Sequence, residues 1–215
     1  MKTTWKCLTL AAMMAAGTAQ ANLIVNGDFE APELTGTSWQ VYSSIPGWDK
    51  TAGAGIEIQR NTVVAAQSGN QYVELDSHYG THTNSTMSQV VNTTAGDLYT
   101  LSFWYRPRTD NGHNDNGINV LWDVFGGDLG TFVASNEVLN LEDYRRSTHN
   151  GWMNFTLDLL ASANQMVLSF QADGKDNTLG GFIDNVSLVA KVPEPGSLAL
   201  LGLGLATLGL RRKAS

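Results

Sequence analysis

The chain has 215 residues, 42% of them hydrophobic and 15% charged, with a formal net charge of -7, 22 glycines and one cysteine. This acidic balance argues against a nucleic-acid-binding protein, because such a protein needs basic residues along the phosphate backbone. The ample hydrophobic content argues against an intrinsically disordered chain, and a single cysteine cannot build a disulfide scaffold.

The first 21 residues have the pattern of a secretory signal peptide. Lys2 and Lys6 precede an apolar stretch at residues 8–16, and the Ala-Gln-Ala sequence at residues 19–21 fits a small-x-small cleavage site. Cys7 lies before the apolar stretch and is removed with the signal. The mature protein is therefore expected to contain no cysteine, so its stability depends on its core, with a bound metal ion as the other available source.

Between residues 22 and 190 the sequence repeatedly alternates polar and apolar side chains, as β-strands do. The predicted strands are residues 71–76, 99–106, 118–124, 152–159, 166–170 and 182–189. Turn-forming clusters at residues 67–70, 93–97 and 173–177 separate several of them. Short strands at this spacing, without helical patterns between them, predict an all-β domain: an antiparallel β-sandwich of the jelly-roll type.

After this region, the sequence Val-Pro-Glu-Pro at residues 192–195 is followed by fifteen uncharged residues, 196–210, and then by a basic cluster at residues 211–213. A fifteen-residue helix is about 22 Å long, which is shorter than the ~30 Å hydrocarbon core of a bilayer. We therefore predict a short transmembrane segment at residues 196–210 that is a poor permanent anchor. Its basic end would stay cytoplasmic.

These three features in this order resemble the PEP-CTERM sorting signal of Gram-negative bacteria. The resemblance covers residues 191–215. It implies recognition by an exosortase, a membrane cysteine protease, and delivery to the cell surface or an exopolysaccharide matrix, with membrane contact only through the C-terminal segment before processing. An ordinary C-terminal membrane anchor is the alternative.

The segment between the predicted signal and the predicted tail is one domain of 169 residues, 22–190. It contains 19 acidic and 7 basic residues, a net charge of -12. So acidic a domain is repelled by strongly anionic polymers. The expected polysaccharide partner is therefore neutral or bridged by calcium, and nucleic acid is not an expected partner.

Four segments of this domain carry a second resemblance. They are Asn-Leu-Ile-Val-Asn-Gly-Asp-Phe-Glu at residues 22–30, Ile-Pro-Gly-Trp at 45–48, Gly-Asn-Gln-Tyr-Val-Glu-Leu-Asp at 69–76 and Gly-Gly-Phe-Ile-Asp-Asn-Val-Ser-Leu at 180–188. Together they resemble the galactose-binding-like jelly rolls of plant cell-wall proteins of unknown function and of their bacterial relatives with PEP-CTERM tails. Carbohydrate-binding modules of xylanases and glucanases share the first and last patterns more loosely. Residues 111–150 have no clear counterpart.

In these jelly rolls a structural calcium ion commonly joins the first strand to the last. The resemblance implies Glu30 and Asp184 as the matching ligands here, with Asp28 as a weaker candidate, together with loop carbonyls. Calcium prefers such hard oxygen ligands. The alternative is that Asp28 and Glu30 are solvated and that Asp184 caps a turn.

The outward positions of the predicted strands supply the residue types that bind sugars, whose apolar faces and hydroxyls suit flat aromatics together with amide, carboxylate or guanidinium groups. The candidate glycan-binding residues are Tyr72, Glu74, Asp76, Trp104, Arg106, Arg108, Trp152 and Asn154. They form one patch if their strands are neighbours. Three alternatives are that the two arginines pair with the two carboxylates across strands, that a loop tip carries the site, or that there is none.

The sequence therefore predicts an exported, surface- or matrix-associated protein that binds polysaccharide without catalysis. Glu74 and Asp76 are about 6.6 Å apart along one strand and point in parallel, whereas a glycoside hydrolase needs carboxylates on opposite sides of the bond. No nucleophile elbow, zinc motif or nucleotide-binding loop is present in the sequence. A structural matrix protein without a specific ligand and a hydrolase of matrix glycan are the alternatives.

Overall fold

The structure is a computed structural model that describes residues 20–36, 38–78, 82–111, 115–126 and 137–191. The predicted signal peptide (1–21), except for its last two residues, and the predicted segment at 196–210 lie outside the described residues. Within the described ranges, no helix has both the length and the apolar composition needed to cross a membrane. Residues Ala21–Lys191 form one compact unit.

The described ranges contain twelve β-strands, and they confirm the predicted all-β class. The strands are β1 (Trp39–Tyr42), β2 (Ser44–Ile45), β3 (Trp48–Ala52), β4 (Ile56–Arg60), β5 (Gln71–Glu74), β6 (Thr86–Asn92), β7 (Leu98–Arg106), β8 (Gly117–Val124), β9 (Glu137–Asn140), β10 (Met153–Leu160), β11 (Gln165–Asp173) and β12 (Phe182–Ala190). The six strands expected from alternation correspond to β5, β7, β8, β10, β11 and β12. The other six were not predicted.

The strands form two antiparallel six-stranded sheets, the arrangement expected of a jelly-roll sandwich. The first sheet has the order β1-β4-β5-β12-β7-β10, and the second has the order β2-β3-β6-β11-β8-β9. The last strand, β12, thus lies in the middle of the first sheet, between β5 and β7. Its position determines which predicted site residues become neighbours.

One hydrophobic core lies between the inner faces of the sheets. Phe103 of the first sheet contacts Phe170 of the second edge-on, with their ring centroids 5.1 Å apart. Trp48 and Trp122 are 1% and 6% exposed and belong to this core. Each fully buried large apolar side chain contributes about 1.5–3 kcal/mol relative to its exposed state, so a domain without disulfides can be stabilised by this core.

The N-terminal segment pairs with the last strand. The backbone N–H of Leu23 donates to the Leu188 carbonyl at 2.8 Å, and that of Val186 donates to the Gly27 carbonyl at 2.8 Å. A Cβ atom on Gly27 would lie 2.0 Å from the Val186 carbonyl oxygen, so only glycine permits this approach. The first and last of the four segments that carry the jelly-roll resemblance, residues 22–30 and 180–188, are therefore in direct contact.

Candidate functional site

Five of the eight predicted glycan-binding residues lie on β5, β7 and β10, on the outer face of the first sheet. In the register of the strands, Trp104 is opposite both Asp184 and Asn154, which belong to the neighbouring strands β12 and β10. Phe182 of β12 is opposite Glu74 on one side and Arg106 on the other. The outer face defined by these residues is therefore continuous across four strands.

Three of the predicted residues are not available to a ligand. Tyr72 and Glu74 are 0% exposed and Asp76 is 1% exposed, so the prediction that they face solvent is wrong. Tyr72 and Glu74 do lie on the outer face, but chain segments cover them there. Asp76 follows β5 and forms an isolated bridge with Asn84.

A loop and an indole ring cover Tyr72. The backbone N–H groups of Val63 and Val64 both donate to the Tyr72 hydroxyl at 3.2 Å, and that hydroxyl donates to Gln59 Oε1 at 3.1 Å. Trp152 packs edge-on against Tyr72, with 5.8 Å between ring centroids, and its Nε1 donates to the Ala65 carbonyl at 2.9 Å. Trp152 therefore belongs to the cover of the sheet and is only half-buried itself.

Glu74 is held in a buried polar network. Arg108 Nη1 donates to Glu74 Oε1 and also to the Thr178 carbonyl, while the Gly180 N–H donates to Glu74 Oε1 at 2.8 Å. Gln59 Nε2 donates to Glu74 Oε2 and to Glu57 Oε1. Burial raises the pKa of Glu74 well above its ordinary value, and the Arg108 charge opposes that rise. Glu74 and Arg108 therefore have the structural pairing that the sequence left open as an alternative to ligand binding.

Neither carboxylate of the Glu74 and Asp76 pair can reach a sugar. Glu74 is in the network just described, and Asp76 Oδ2 accepts from the backbone N–H groups of Asn177 and Leu179 at 3.3 and 3.0 Å. A glycoside hydrolase needs two carboxylates that flank the scissile bond. This pair does not have that geometry.

The accessible part of the outer face consists of Trp104, Arg106 and Asn154. Trp104 and Arg106 are half-buried, and Asn154 is exposed. Arg106 Nη2 makes a long hydrogen bond of 3.5 Å to Asn150 Oδ1, and Asn154 Nδ2 donates to the Phe103 carbonyl at 3.3 Å. An indole, a guanidinium and an amide are thus adjacent on a solvent-facing surface, and we call these three residues the Trp104 face.

The predicted calcium ligands Glu30 and Asp184 lie around one loop, residues 67–71. Asp184 Oδ2 accepts from the N–H groups of Gln67 and Ser68 at 2.9 and 3.0 Å, and Glu30 Oε1 accepts from those of Asn70 and Gln71 at 2.7 and 2.8 Å. The loop therefore holds both carboxylates with its backbone N–H groups. Gly69, with a φ of +63°, lies between them, where a Cβ atom would be 2.3 Å from Glu30 Oε1.

Burial and the neighbouring Glu30 carboxylate both make ionisation of Asp184 unfavourable. Burial raises the pKa of Asp184 to about 7, and the Glu30 carboxylate adds to the rise. A cation beside them would relieve this repulsion. Asp28 is exposed, and the described residues hold no group of three or more His, Cys, Asp or Glu side chains suited to a metal ion. Loop carbonyls and water would have to supply the other ligands.

A cleft of about 390 Å³, which was not predicted from the sequence, is lined by Asn140, Asp143, Tyr144 and His149. The rings of Tyr144 and His149 are in edge contact, with 4.8 Å between their centroids. Three of these residues follow β9 in irregular chain, where polar and apolar residues do not alternate. The cleft is a candidate for the loop site that remained open as an alternative.

Comparison with known proteins gives a family for the domain and a motif for the tail. Residues 22–189 match the family described as "Protein of unknown function (DUF642)", and residues 191–213 match the PEP-CTERM protein-sorting motif. A multifunctional-autoprocessing repeats-in-toxin of Vibrio vulnificus is 30% identical over 172 residues, which are 79% of this chain and 3% of the toxin. The chain thus spans about 3% of the length of the curated relatives it matches.

Solved structures that are similar to this chain include the following two. The arabinose-bound MgGH51 α-L-arabinofuranosidase is 14% identical, with a TM-score of 0.51, over 81% of this chain and 27% of that one. TmCBM61 in complex with beta-1,4-galactotriose is 22% identical, with a TM-score of 0.47, over 80% of this chain and 99% of that one. At these identities the first likeness concerns the sandwich fold alone, and neither assigns a ligand to this chain.

Proposed function

We propose that this chain, which belongs to the DUF642 family and carries a PEP-CTERM sorting motif, is an exported protein that binds polysaccharide without cleaving it. The motif indicates export through the exosortase pathway of Gram-negative bacteria. In this proposal the domain acts at the cell surface or in an extracellular polysaccharide matrix, and the exosortase is its partner during sorting.

The Trp104 face is the observation that carries the proposal. The half-exposed indole of Trp104 offers a flat surface for the apolar face of a sugar ring, while Arg106 and Asn154 offer donors for its hydroxyls. The other charged members of the predicted patch make contacts within the domain: Arg108 pairs with Glu74, and Asp76 accepts from the Leu179 N–H. Because the face lacks an accessible carboxylate pair, we assign it binding and no hydrolysis.

Replacing Trp104 with Ala is expected to abolish retention of the 22–190 domain in affinity gels that contain neutral polysaccharide. Loss of a central aromatic contact costs about 2 kcal/mol, which is roughly a 30-fold rise in Kd. Trp39→Ala is the matched control, since Trp39 is also half-buried but lies on the edge strand β1. Retention unchanged by Trp104→Ala but lost in Tyr144→Ala would move the site to the cleft, and no retention of the wild type on any gel would refute glycan binding.

We also propose that Glu30 and Asp184 hold a structural calcium ion that joins the N-terminal segment to β12. In chelator-stripped protein, calcium at about 100 times its Kd is expected to raise the Tm by roughly 5–10 °C. Glu30→Gln should reduce this rise, whereas Asp28→Asn, a change at an exposed neighbour, should leave it intact. An equal calcium response in wild type and Glu30→Gln would contradict this assignment.

A further inference from the structure

The loop after β11 closes over the end of β5, far along the chain from the residues it contacts. Asp76 and Asn84 are directly opposite one another in an antiparallel bridge. The loop reaches both of them: the Asn177 N–H donates to Asp76 Oδ2 at 3.3 Å, and Asn84 Nδ2 donates to the Gly174 carbonyl at 3.0 Å. Asn84 N–H also donates to Asp176 Oδ1 at 2.9 Å.

Two buried oxygens at this bridge have no hydrogen-bond donor. They are Asp76 Oδ1 and Asn84 Oδ1. Residues that are directly opposite in an antiparallel pair have their side chains on the same side, with Cβ atoms about 5 Å apart. The bond from Asn84 Nδ2 to the Gly174 carbonyl fixes the orientation of the amide, so its oxygen is the free end. Two buried acceptors on the same side of this bridge therefore have no hydrogen-bond donor.

The surrounding charge is negative and is not neutralised by an ion pair at Asp76. Asp76 is 1% exposed, and no ion pair among the described residues includes it. Asn177 connects it to a second buried carboxylate, because Asn177 Nδ2 donates to Asp115 Oδ1 at 2.7 Å. Asp176 adds a third carboxylate at the rim, 3.7 Å from His82 Nδ1. An unpaired buried carboxylate is costly unless a cation is close to it.

We propose that Asp76 and Asn84 bind a divalent cation, of which calcium is the best match, at a site separate from Glu30 and Asp184. The two oxygens without a hydrogen-bond partner are one carboxylate oxygen and one amide oxygen, both hard ligands of the kind calcium prefers. Calcium takes six to eight oxygens in flexible geometry, so carbonyls of the 173–177 loop and water complete its shell. The ion would fasten this loop to the end of β5.

The isosteric change Asp76→Asn tests the site, because the new amide nitrogen can donate to Asn84 Oδ1 and replace the cation. In EDTA, the Asp76→Asn variant is expected to melt at or above the wild-type temperature. Its calcium titration by calorimetry should show one binding site fewer than the wild type. Asp97→Asn is the control for loss of one negative charge at an exposed position, and it should keep both the wild-type Tm and the wild-type number of sites.

The background Glu30→Gln separates this site from the one in the proposed function. Glu30→Gln should retain one calcium site, and the double variant Glu30→Gln/Asp76→Asn should retain none. A calcium isotherm that Asp76→Asn leaves unchanged would overturn the proposal and indicate that water alone bridges the two oxygens. A Tm lowered equally with and without calcium would also overturn it, because Asp76 would then be only an acceptor for the loop.

A second variant keeps the test decisive if Asp76→Asn does not fold. Asn84→Asp places a carboxylate opposite Asp76, so like-charge repulsion is expected to lower the Tm in EDTA and calcium is expected to raise it more than in the wild type. A calcium response equal to or smaller than that of the wild type would count against the site.

Discussion

Replacing Arg108 with Met is expected to lower the free energy of unfolding by about 3–5 kcal/mol, because it leaves a buried carboxylate without its cation. Arg108 is the ion-pair partner of Glu74, which is fully buried, and its guanidinium lies 5.9 Å from the Phe182 ring centroid. Methionine keeps most of the apolar stem but supplies no charge and no donor. Urea denaturation of the 22–190 domain at neutral pH measures the loss directly.

Arg106→Met is the matched control, since Arg106 is on the same segment of chain and on the outer face. The contact between Arg106 and Asn150 is long and exposed, so its loss should cost less than about 1 kcal/mol. Adding Glu74→Gln to Arg108→Met removes the unpaired charge and should restore part of the lost stability, a coupling that a double-mutant cycle measures. A loss for Arg108→Met as small as that for Arg106→Met would show that the pair is not important for stability.

Alternation predicted strands where one face of the sheet is apolar, and it failed where polar side chains are buried on both faces. In β6, Met87 and Val91 enter the core, but Gln89 lies between them and Ser88 is buried on the other face. Gln89 Oε1 accepts from the Val25 N–H at 2.8 Å, and Ser88 Oγ is 2.7 Å from Ser169 Oγ. Such partners are distant in sequence, so no local pattern reveals that these polar residues are satisfied.

The predicted site shows the same limit. Alternation placed Tyr72, Glu74, Trp104 and Arg106 on one face of the sheet, which is where the structure has them. It could not predict which of them are covered, because the covering contacts come from chain segments with no regular pattern. The loop that holds the Tyr72 hydroxyl and the segment that contributes the Gly180 N–H to Glu74 are examples. Strand periodicity thus predicts the face of a side chain and leaves its exposure open.

The environment of a buried carboxylate can be tested through the pH dependence of stability, and at Asp184 the sign of that dependence is unusual for an acidic residue. Its pKa in the folded domain is about 7, above the ordinary value of 3.8, because of burial and the nearby Glu30 charge. A raised pKa means that the folded state binds the proton more tightly than the unfolded state. The contribution of Asp184 to the stability of the fold is therefore fully present below about pH 4 and is lost as the pH rises through about 7.

In EDTA, the wild-type domain is expected to lose stability between pH 4.5 and pH 8, and Asp184→Asn is expected to show a smaller loss over the same interval. Raising the pKa of Asp184 from 3.8 to about 7 corresponds to at most about 4 kcal/mol for this one group. The comparison uses the slope of the unfolding free energy against pH. The absolute unfolding free energy is not compared, because Asp184→Asn also changes the hydrogen bonds with Gln67 and Ser68. Glu74 has a raised pKa in both proteins, so its effect cancels in the difference.

Asp158→Asn is the control for this experiment, because Asp158 is exposed and its pKa is lowered by hydrogen bonds from Lys191 and Thr100. Asp158→Asn should leave the decline in unfolding free energy between pH 4.5 and pH 8 unchanged. Calcium should flatten the wild-type decline if Asp184 is a ligand, because a cation stabilises the ionised carboxylate. Equal slopes for wild type and Asp184→Asn in EDTA would contradict the raised pKa. A decline that calcium leaves unchanged would instead argue that the 67–71 loop holds the two carboxylates by its backbone N–H groups alone.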